Sequence, residues 1–127
     1  MPTDQYFRNA VVVRVKDGDT IVAMVDLGFS VWTKQTFRFY GIDAPEKNTG
    51  AGKRSQVYMR RYLPIGTELV LEVIRSPGGK FSRTFGRYVA IPYKDSVNIC
   101  EHLVRKNLAK RWTKFKRFKV SPGQGNQ

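Results

Sequence analysis

The feature that most constrains the fold is a series of apolar, β-branched runs in the first half of the chain, separated by short turns. The first two runs flank residues 16–19, where an Asp-Gly pair favours a tight turn between antiparallel strands. A third run, from Val31 to Ile42, alternates Phe37 and Phe39 with Arg38, which is the two-residue period of a strand. These runs predict a three-stranded meander.

A helix is predicted directly after the meander, between Lys53 and Leu63. Apolar residues recur there at a spacing of four, and Pro64 ends the pattern. Gly50 and Gly52 are expected to interrupt the chain before this helix begins.

Two more strands, at 67–74 and 85–93, are predicted from β-branched and aromatic runs, and the second should end near Pro92. A second helix over about 99–106 is predicted from the capping position of Asn98. The order β-β-β-α-β-β-α predicts a mainly β (α+β) fold, a five-stranded OB-type barrel with two α-helices.

The length and the balance of residues favour one folded domain. The chain has 127 residues, of which 41% are hydrophobic. We expect a single domain over residues 1–120 and a disordered tail over 121–127, which is rich in Gly and Pro. The first residues carry no visible export signal, and no apolar run is long enough to span a membrane. We therefore expect a cytoplasmic protein, or one encoded by a phage or another mobile element.

The charge balance points to a polyanionic partner. The chain carries 23 Lys and Arg against 10 Asp and Glu, a net charge of +13. From residue 102 onward there is no acidic residue. A solvated basic surface is the alternative, but aromatic residues interleave with this charge, as in single-strand binding proteins. The residues predicted to contact nucleic acid are Lys110, Trp112, Lys114, Phe115, Lys116 and Arg117.

The single cysteine, Cys100, and the single histidine, His102, restrict the possible metal chemistry. A structural zinc site needs about four Cys or His ligands, and one cysteine cannot form an internal disulfide. Any metal must be held by oxygen atoms, which favours calcium or magnesium.

Acidic residues are scarce in this chain, and four of the ten fall in two short segments, 17–20 and 43–46. Asp19 follows the first tight turn, and Asp43 and Glu46 follow the third predicted strand. In a meander the carboxylates of Asp19 and Asp43 can meet at one end of the sheet and hold a divalent cation. Pro45 restricts the backbone of Ala44, whose carbonyl is a possible third ligand. Each segment alone could equally be an ordinary turn or loop.

Two arginines complete the pattern. Arg38 lies on the strand that leads to Asp43, and Arg87 begins the fifth predicted strand. Most arginines on strands form surface ion pairs or cover apolar surface. Beside a cation site, however, a guanidinium can bind phosphate with two parallel hydrogen bonds, which indicates a site for phosphodiester cleavage.

Four motifs, in this order, resemble the staphylococcal nuclease (thermonuclease) family. They are Asp-Gly-Asp-Thr-Ile at 17–21, Arg-Phe-Tyr-Gly-Ile-Asp-Ala-Pro-Glu at 38–46, Phe-Gly-Arg at 85–87, and the segment 97–109 around the second helix. The resemblance covers about residues 8–110. It implies a calcium-dependent endonuclease that hydrolyses DNA and RNA and leaves 5′-hydroxyl and 3′-phosphate ends. We expect single strands to be the preferred substrate.

By matching position, the resemblance assigns a role to each residue of the acidic and basic cluster. It implies calcium ligation by Asp19, Asp43 and the Ala44 carbonyl, and proton abstraction or water orientation by Glu46. Arg38 and Arg87 would bind the phosphate and stabilise the charge of the transition state. We expect a monomer that does not bind membranes. The alternative is a catalytically silent OB-type module that binds nucleic acid without cleaving it.

Overall fold

The computed structural model describes residues 6–75, 83–84 and 86–112. Nine strands and two helices lie within these ranges. In chain order the elements are β1 (Tyr6–Asp17), β2 (Thr20–Asp26), β3 (Trp32–Phe39), β4 (Ile42–Asp43), α1 (Gly50–Tyr62), β5 (Glu68–Val73), β6 (Arg83–Thr84), β7 (Arg87–Lys94), β8 (Val97–Asn98), α2 (Ile99–Arg105) and β9 (Lys110–Arg111).

The five longest strands form a closed barrel. The sheet order is β3-β2-β1-β5-β7, and β3 also pairs with β7, so the two ends of the sheet meet. Every other pairing in the barrel is antiparallel, whereas β3 and β7 run parallel, with Arg38 opposite Val89. This confirms the predicted mainly β fold, a five-stranded OB-like barrel with two helices.

The two-residue alternation of the strands explains how the barrel is filled. Side chains that point inward are buried, as Phe37 and Phe39 are on β3, while Arg38 between them is only half-buried. Met59 and Leu63 from the α1 region and Ile99 and Leu103 from α2 close the same core. The inward strand residues that line it include Ala10, Val12, Val15, Ile21, Ala23, Val25, Leu69, Leu71, Val73 and Ala90.

The first helix begins earlier than predicted. It starts at Gly50, so Gly50 and Gly52 belong to its first turn and do not interrupt the chain before it. Thr49 is the N-cap, since its side chain accepts a hydrogen bond from the Gly52 N–H at 3.0 Å. This cap offsets the low helix propensity of the two glycines.

The third predicted strand is divided in two. β3 ends at Phe39 because Gly41 takes a left-handed conformation, with φ of +80°, and turns the chain. Ile42 and Asp43 then form β4, which pairs with β9 outside the barrel.

The fifth barrel strand ends at Lys94, one residue beyond the predicted range of 85–93, and Pro92 lies within it. Pro92 is buried within β7 opposite Leu71. On the other edge of β7, pairing with β3 ends at Ala90 and pairing with β8 begins at Tyr93, so a missing N–H at residue 92 is tolerated on that edge.

The second helix confirms its predicted start and end. The Asn98 side chain accepts the Glu101 N–H at 3.1 Å, and Asn107 takes the left-handed conformation after the last turn, with φ of +60°. Neither helix in the described ranges is both long and apolar enough to cross a membrane.

Several predictions concern residues outside the described ranges. These are the disordered tail at 121–127 and four of the predicted nucleic-acid contacts, Lys114, Phe115, Lys116 and Arg117.

Candidate functional site

The site is built around Asp19, which leaves the turn between β1 and β2. The turn is closed locally, because the Asp17 carboxylate accepts the Asp19 N–H at 3.3 Å. One carboxylate oxygen of Asp19 accepts the Ala44 N–H at 2.8 Å, and the other accepts the Thr20 hydroxyl at 3.0 Å. Asp19 is therefore a buried carboxylate that joins the turn to the loop after β4.

Arg38 links this carboxylate to Asp43. Its Nη1 lies 3.2 Å from the Asp19 carboxylate, and its Nη2 forms an ion pair with the Asp43 carboxylate. The same Nη1 donates to the backbone carbonyls of Phe39 at 3.1 Å and Ile42 at 2.8 Å. The guanidinium is thereby fixed in the bend between β3 and β4. There it contacts both carboxylates that were predicted to bind a metal.

The two carboxylates differ in their exposure. The Asp19 side chain is 12% exposed, whereas the Asp43 side chain is 59% exposed. Burial, and after it the side-chain interaction with Asp17, raise the pKa of Asp19 from 3.8 to about 6. The Ala44 N–H and Arg38 act in the opposite direction but do not offset the burial. The pKa of Asp19 therefore stays above its ordinary value despite the nearby arginine.

Ala44 contacts Asp19 through its backbone N–H, which is a hydrogen-bond donor. The sequence indicated the carbonyl of Ala44 as the functional group, so this contact was not anticipated. It fixes the start of the loop that carries Glu46.

Glu46 is exposed, and in the described part of the chain its carboxylate forms no hydrogen bond or ion pair. Its backbone, in contrast, is anchored: the carbonyl oxygen accepts the Thr49 N–H at 3.0 Å and the Thr49 hydroxyl at 2.6 Å. The predicted base is therefore an accessible carboxylate on a fixed stretch of backbone.

Arg87 begins β7 and is half-buried. It lies two residues before Val89, which is the register partner of Arg38 on the neighbouring strand β3. Because side chains on a strand alternate with a period of two, Arg87 and Arg38 project from the same face of the sheet.

The chain reaches the site again after α2. Lys110 is exposed and pairs with Asp43 in the short β4–β9 ladder. The Trp112 indole N–H donates to the Ile42 carbonyl at 2.8 Å, and its ring lies 5.9 Å from the Arg38 guanidinium. Trp112 also packs edge-on against Tyr40, with ring centroids 5.4 Å apart. Trp112 was predicted to contact nucleic acid, and its contacts here make it a wall of the cluster around Arg38.

The residues that could hold a cation are Asp19 and Asp43. Both carboxylates contact the Arg38 guanidinium, so two negative charges lie close together there. Both are oxygen donors, which suit a hard cation. Across the described ranges no group of three or more His, Cys, Asp or Glu side chains is close enough to hold a metal ion. A cation here would need backbone or water oxygens as well.

Four residues that support the site were missed in the sequence. Thr20 and Ser55 are buried, and the Ser55 hydroxyl donates to the carbonyl of Leu108 at 3.1 Å, which ties α1 to the segment after α2. Thr49 donates to the Glu46 carbonyl, and Gly52 lies directly against that carbonyl. The spacing of Thr49 and Gly52 is that of an N-cap and its N–H partner, a signal that was available. The role of Ser55 depends on residues far along the chain and left no local signal.

Comparison with known proteins adds no family assignment. No family model and no curated protein matches the sequence.

Proposed function

We propose that this chain is a calcium-dependent endonuclease that hydrolyses phosphodiester bonds of DNA and RNA. The observation that carries the proposal is the convergence of the Asp19 and Asp43 carboxylates on Arg38, at the edge of an OB-like barrel. The two acids are oxygen donors that suit a hard cation, and the arginine beside them can donate to phosphate. The motifs that resemble the staphylococcal nuclease family contain these same residues.

The electrostatics of the whole chain support a polyanionic substrate. With a net charge of +13, the protein attracts nucleic acid, and the acids at the site stand out against that background. A phosphate backbone that approaches two carboxylates is repelled unless a cation screens them. A divalent ion on Asp19 and Asp43 would remove that repulsion and favour the ionised form of Asp19.

In this proposal each group has one task. Asp19, Asp43 and the Ala44 carbonyl would hold calcium, which when bound would supply positive charge next to the scissile phosphate. Arg38 and Arg87, on one face of the β3–β7 pair, bind the phosphate oxygens and stabilise the charge that develops in the transition state. Glu46 orients a water molecule or removes its proton. The products expected from the family resemblance are 5′-hydroxyl and 3′-phosphate ends.

The decisive experiment is the degradation of labelled single-stranded DNA and RNA by the full chain, in calcium, in magnesium and in chelator. We expect cleavage in calcium, much slower cleavage in magnesium, and none in chelator, because carboxylate and carbonyl sites of irregular geometry suit calcium better. Full activity in chelator would contradict the metal assignment. Binding without cleavage in every condition would identify the silent binding module instead.

Matched variants separate the proposed enzyme from a contaminating nuclease. Glu46→Gln should lower the rate by ~100-fold or more, whereas Glu68→Gln, at an exposed glutamate on β5, should not change it.

The arginines are tested by conservative replacement. Arg38→Lys and Arg87→Lys keep the charge but lose the planar fork, and each should lower the rate by ~100-fold or more. Arg60→Lys, at an exposed position on α1, is the control. A Lys variant at position 38 or 87 with the wild-type rate would remove that arginine from the site.

A further inference from the structure

The start of α1 lies directly against the loop that carries Glu46. Gly52 is buried in the first turn of the helix, and a Cβ built there would overlap the Glu46 carbonyl oxygen. The same Cβ would lie 2.8 Å from the Cα of Lys47. Both neighbours are backbone atoms, which cannot rotate away as a side chain would. The close approach of helix and loop therefore requires glycine at this position.

Thr49 joins the same two elements by hydrogen bonds. Its hydroxyl oxygen accepts the Gly52 N–H at 3.0 Å and donates its own proton to the Glu46 carbonyl at 2.6 Å. The Thr49 N–H donates to that carbonyl too, at 3.0 Å. One threonine thus caps the helix and holds the backbone of Glu46 against it.

The loop is anchored at its other end by Asp19. The Ala44 N–H donates to the Asp19 carboxylate at 2.8 Å, so the loop is fixed two residues before Glu46 and again at the Glu46 carbonyl. Between these anchors, Pro45 has a restricted φ angle. The direction of the exposed Glu46 side chain then depends on a backbone that the helix start defines.

We propose that Thr49 and Gly52 are positioning residues, which fix the Glu46 carboxylate relative to Asp19 by holding its backbone on the first turn of α1. This inference rests on the proposed nuclease function for the role of Glu46. It adds that the rate of hydrolysis depends on contacts made behind the loop, by residues that touch neither substrate nor cation.

The chain offers a matched pair of glycines for the test. Gly52→Ala places a methyl group against the Glu46 carbonyl, whereas a Cβ at Gly50, on the same helix, would meet only the end of the Arg54 side chain at 3.4 Å. We expect Gly52→Ala to lower kcat by ~100-fold with KM changed less than about threefold, because small displacements of a reacting group have large effects on rate. Gly50→Ala should keep kcat within about twofold of the wild type.

A double-mutant cycle distinguishes positioning from general damage. In the Glu46→Gln background, Gly52→Ala should cause no further loss, since the group it positions is already absent. An equal additional loss in that background would overturn the proposal. Thr49→Val should reproduce the loss of kcat, and Thr49→Ser, which keeps the hydroxyl, should restore it.

Amide hydrogen exchange tests the anchor independently of nuclease activity. In Gly52→Ala and Thr49→Val, the segment 44–49 should exchange at least ~10-fold faster than in the wild type, while β5 and the 17–19 turn keep their protection. Unchanged exchange in 44–49 would overturn the proposal even if the wild type cleaves nucleic acid. If the wild type cleaves nothing, the proposed function fails, and the exchange result still decides whether the helix holds the loop.

Discussion

The two turns that connect the first three strands contain the same local hydrogen bond but differ in what packs against them. In the turn after β1, the Asp17 carboxylate accepts the N–H of Asp19, two residues on, at 3.3 Å. In the turn after β2, the Asp26 carboxylate accepts the N–H of Gly28, again two residues on, at 2.8 Å. Each turn thus begins with an aspartate that closes the backbone locally.

What differs is the structure above each turn. Gly18 is buried, and a Cβ on it would overlap the Ser55 hydroxyl of α1 and lie 2.7 Å from the Cβ of Ala44. The residues of the second turn are exposed, and Phe29 at its tip is 99% exposed. One turn is covered by a helix and a loop, whereas the other projects into solvent.

The comparison shows how a common turn becomes a candidate site. The cover removes water from Asp19 and raises its pKa to about 6, and it brings Ala44 within hydrogen-bond distance of the carboxylate. In the second turn Asp26 is the counterpart of Asp17, Gly28 stands in the place of Asp19, and residues 27–30 are exposed. The chemistry of the first turn therefore comes from what packs on it.

The largest expected difference between the turns is in the proposed nuclease activity. Asp19→Asn should lower the rate of calcium-dependent cleavage by at least ~100-fold, because a carboxylate at the proposed cation site loses its charge. Asp26→Asn makes the same change in the uncovered turn and should leave the rate within about twofold of the wild type. Rates on a labelled single strand in calcium provide the measurement. Equal effects of the two substitutions would remove Asp19 from the site.

The two turn glycines should differ in their effect on stability. Gly18→Ala introduces a methyl group into packed atoms and should lower the free energy of unfolding by about 3 kcal/mol. At Gly28, with φ of +87° and open space around it, alanine adds only backbone strain, about 1 kcal/mol.

Denaturant unfolding of both glycine variants measures the difference, and Ser55→Ala serves to test its cause. Ser55→Ala loses the hydrogen bond to Leu108 and should lower stability by itself, but it should cost less in Gly18→Ala, where it also removes the overlapping hydroxyl. In Gly28→Ala it should cost as much as in the wild type. A Gly18 variant as stable as the Gly28 variant would show that α1 and the loop at Ala44 do not pack tightly on the first turn.

The raised pKa of Asp19 predicts a pH dependence with a definite sign. The folded-state pKa of about 6 exceeds the ordinary value of 3.8, so this group's contribution to stability is complete below about pH 3.8 and is lost as the pH rises through about 6. In chelator, the wild type should lose on the order of 2 kcal/mol between pH 4 and pH 7.5 relative to Asp19→Asn.

Urea unfolding at several pH values, for the wild type and for Asp19→Asn, isolates this contribution from that of the other acids. Glu101 is such an acid: its hydrogen bonds with Arg111 lower its pKa, so its contribution is lost as the pH falls. Asp26→Asn retains Asp19 and should follow the wild type. Parallel stability curves for the wild type and Asp19→Asn would contradict the prediction.

The smallest expected effect is at the tip of the uncovered turn. Phe29→Ser should change the free energy of unfolding by less than about 0.5 kcal/mol, because the ring is exposed and has no packing to lose. Phe39→Ala, inside the barrel, is the reference and should cost about 4 kcal/mol. A loss above about 1 kcal/mol for Phe29→Ser would mean that the tip is covered in solution.

The sequence by itself determined the elements whose signals are local. The β-branched runs predicted the barrel strands, and the alternation of Phe37, Arg38 and Phe39 predicted which side chains point inward. The cap by Asn98 and the turn at Asp17 each close a hydrogen bond within three residues. Neighbouring residues encode such contacts, because closing a short segment has a small entropic cost. The two acidic segments of the site could also be identified, because each lies within four consecutive residues.

Only the tertiary structure decided which residues pack over the two acidic segments and how deeply Asp19 is buried. The parallel pairing of β3 with β7, the ladder between Asp43 and Lys110, and the packing of Ser55 on Gly18 join residues far apart along the chain. No window of sequence contains both partners of such a contact, and closing these long loops is favourable only when the whole barrel forms. The burial that raises the pKa of Asp19 arises from these contacts, whereas the uncovered turn at Asp26 keeps the environment that its own sequence provides.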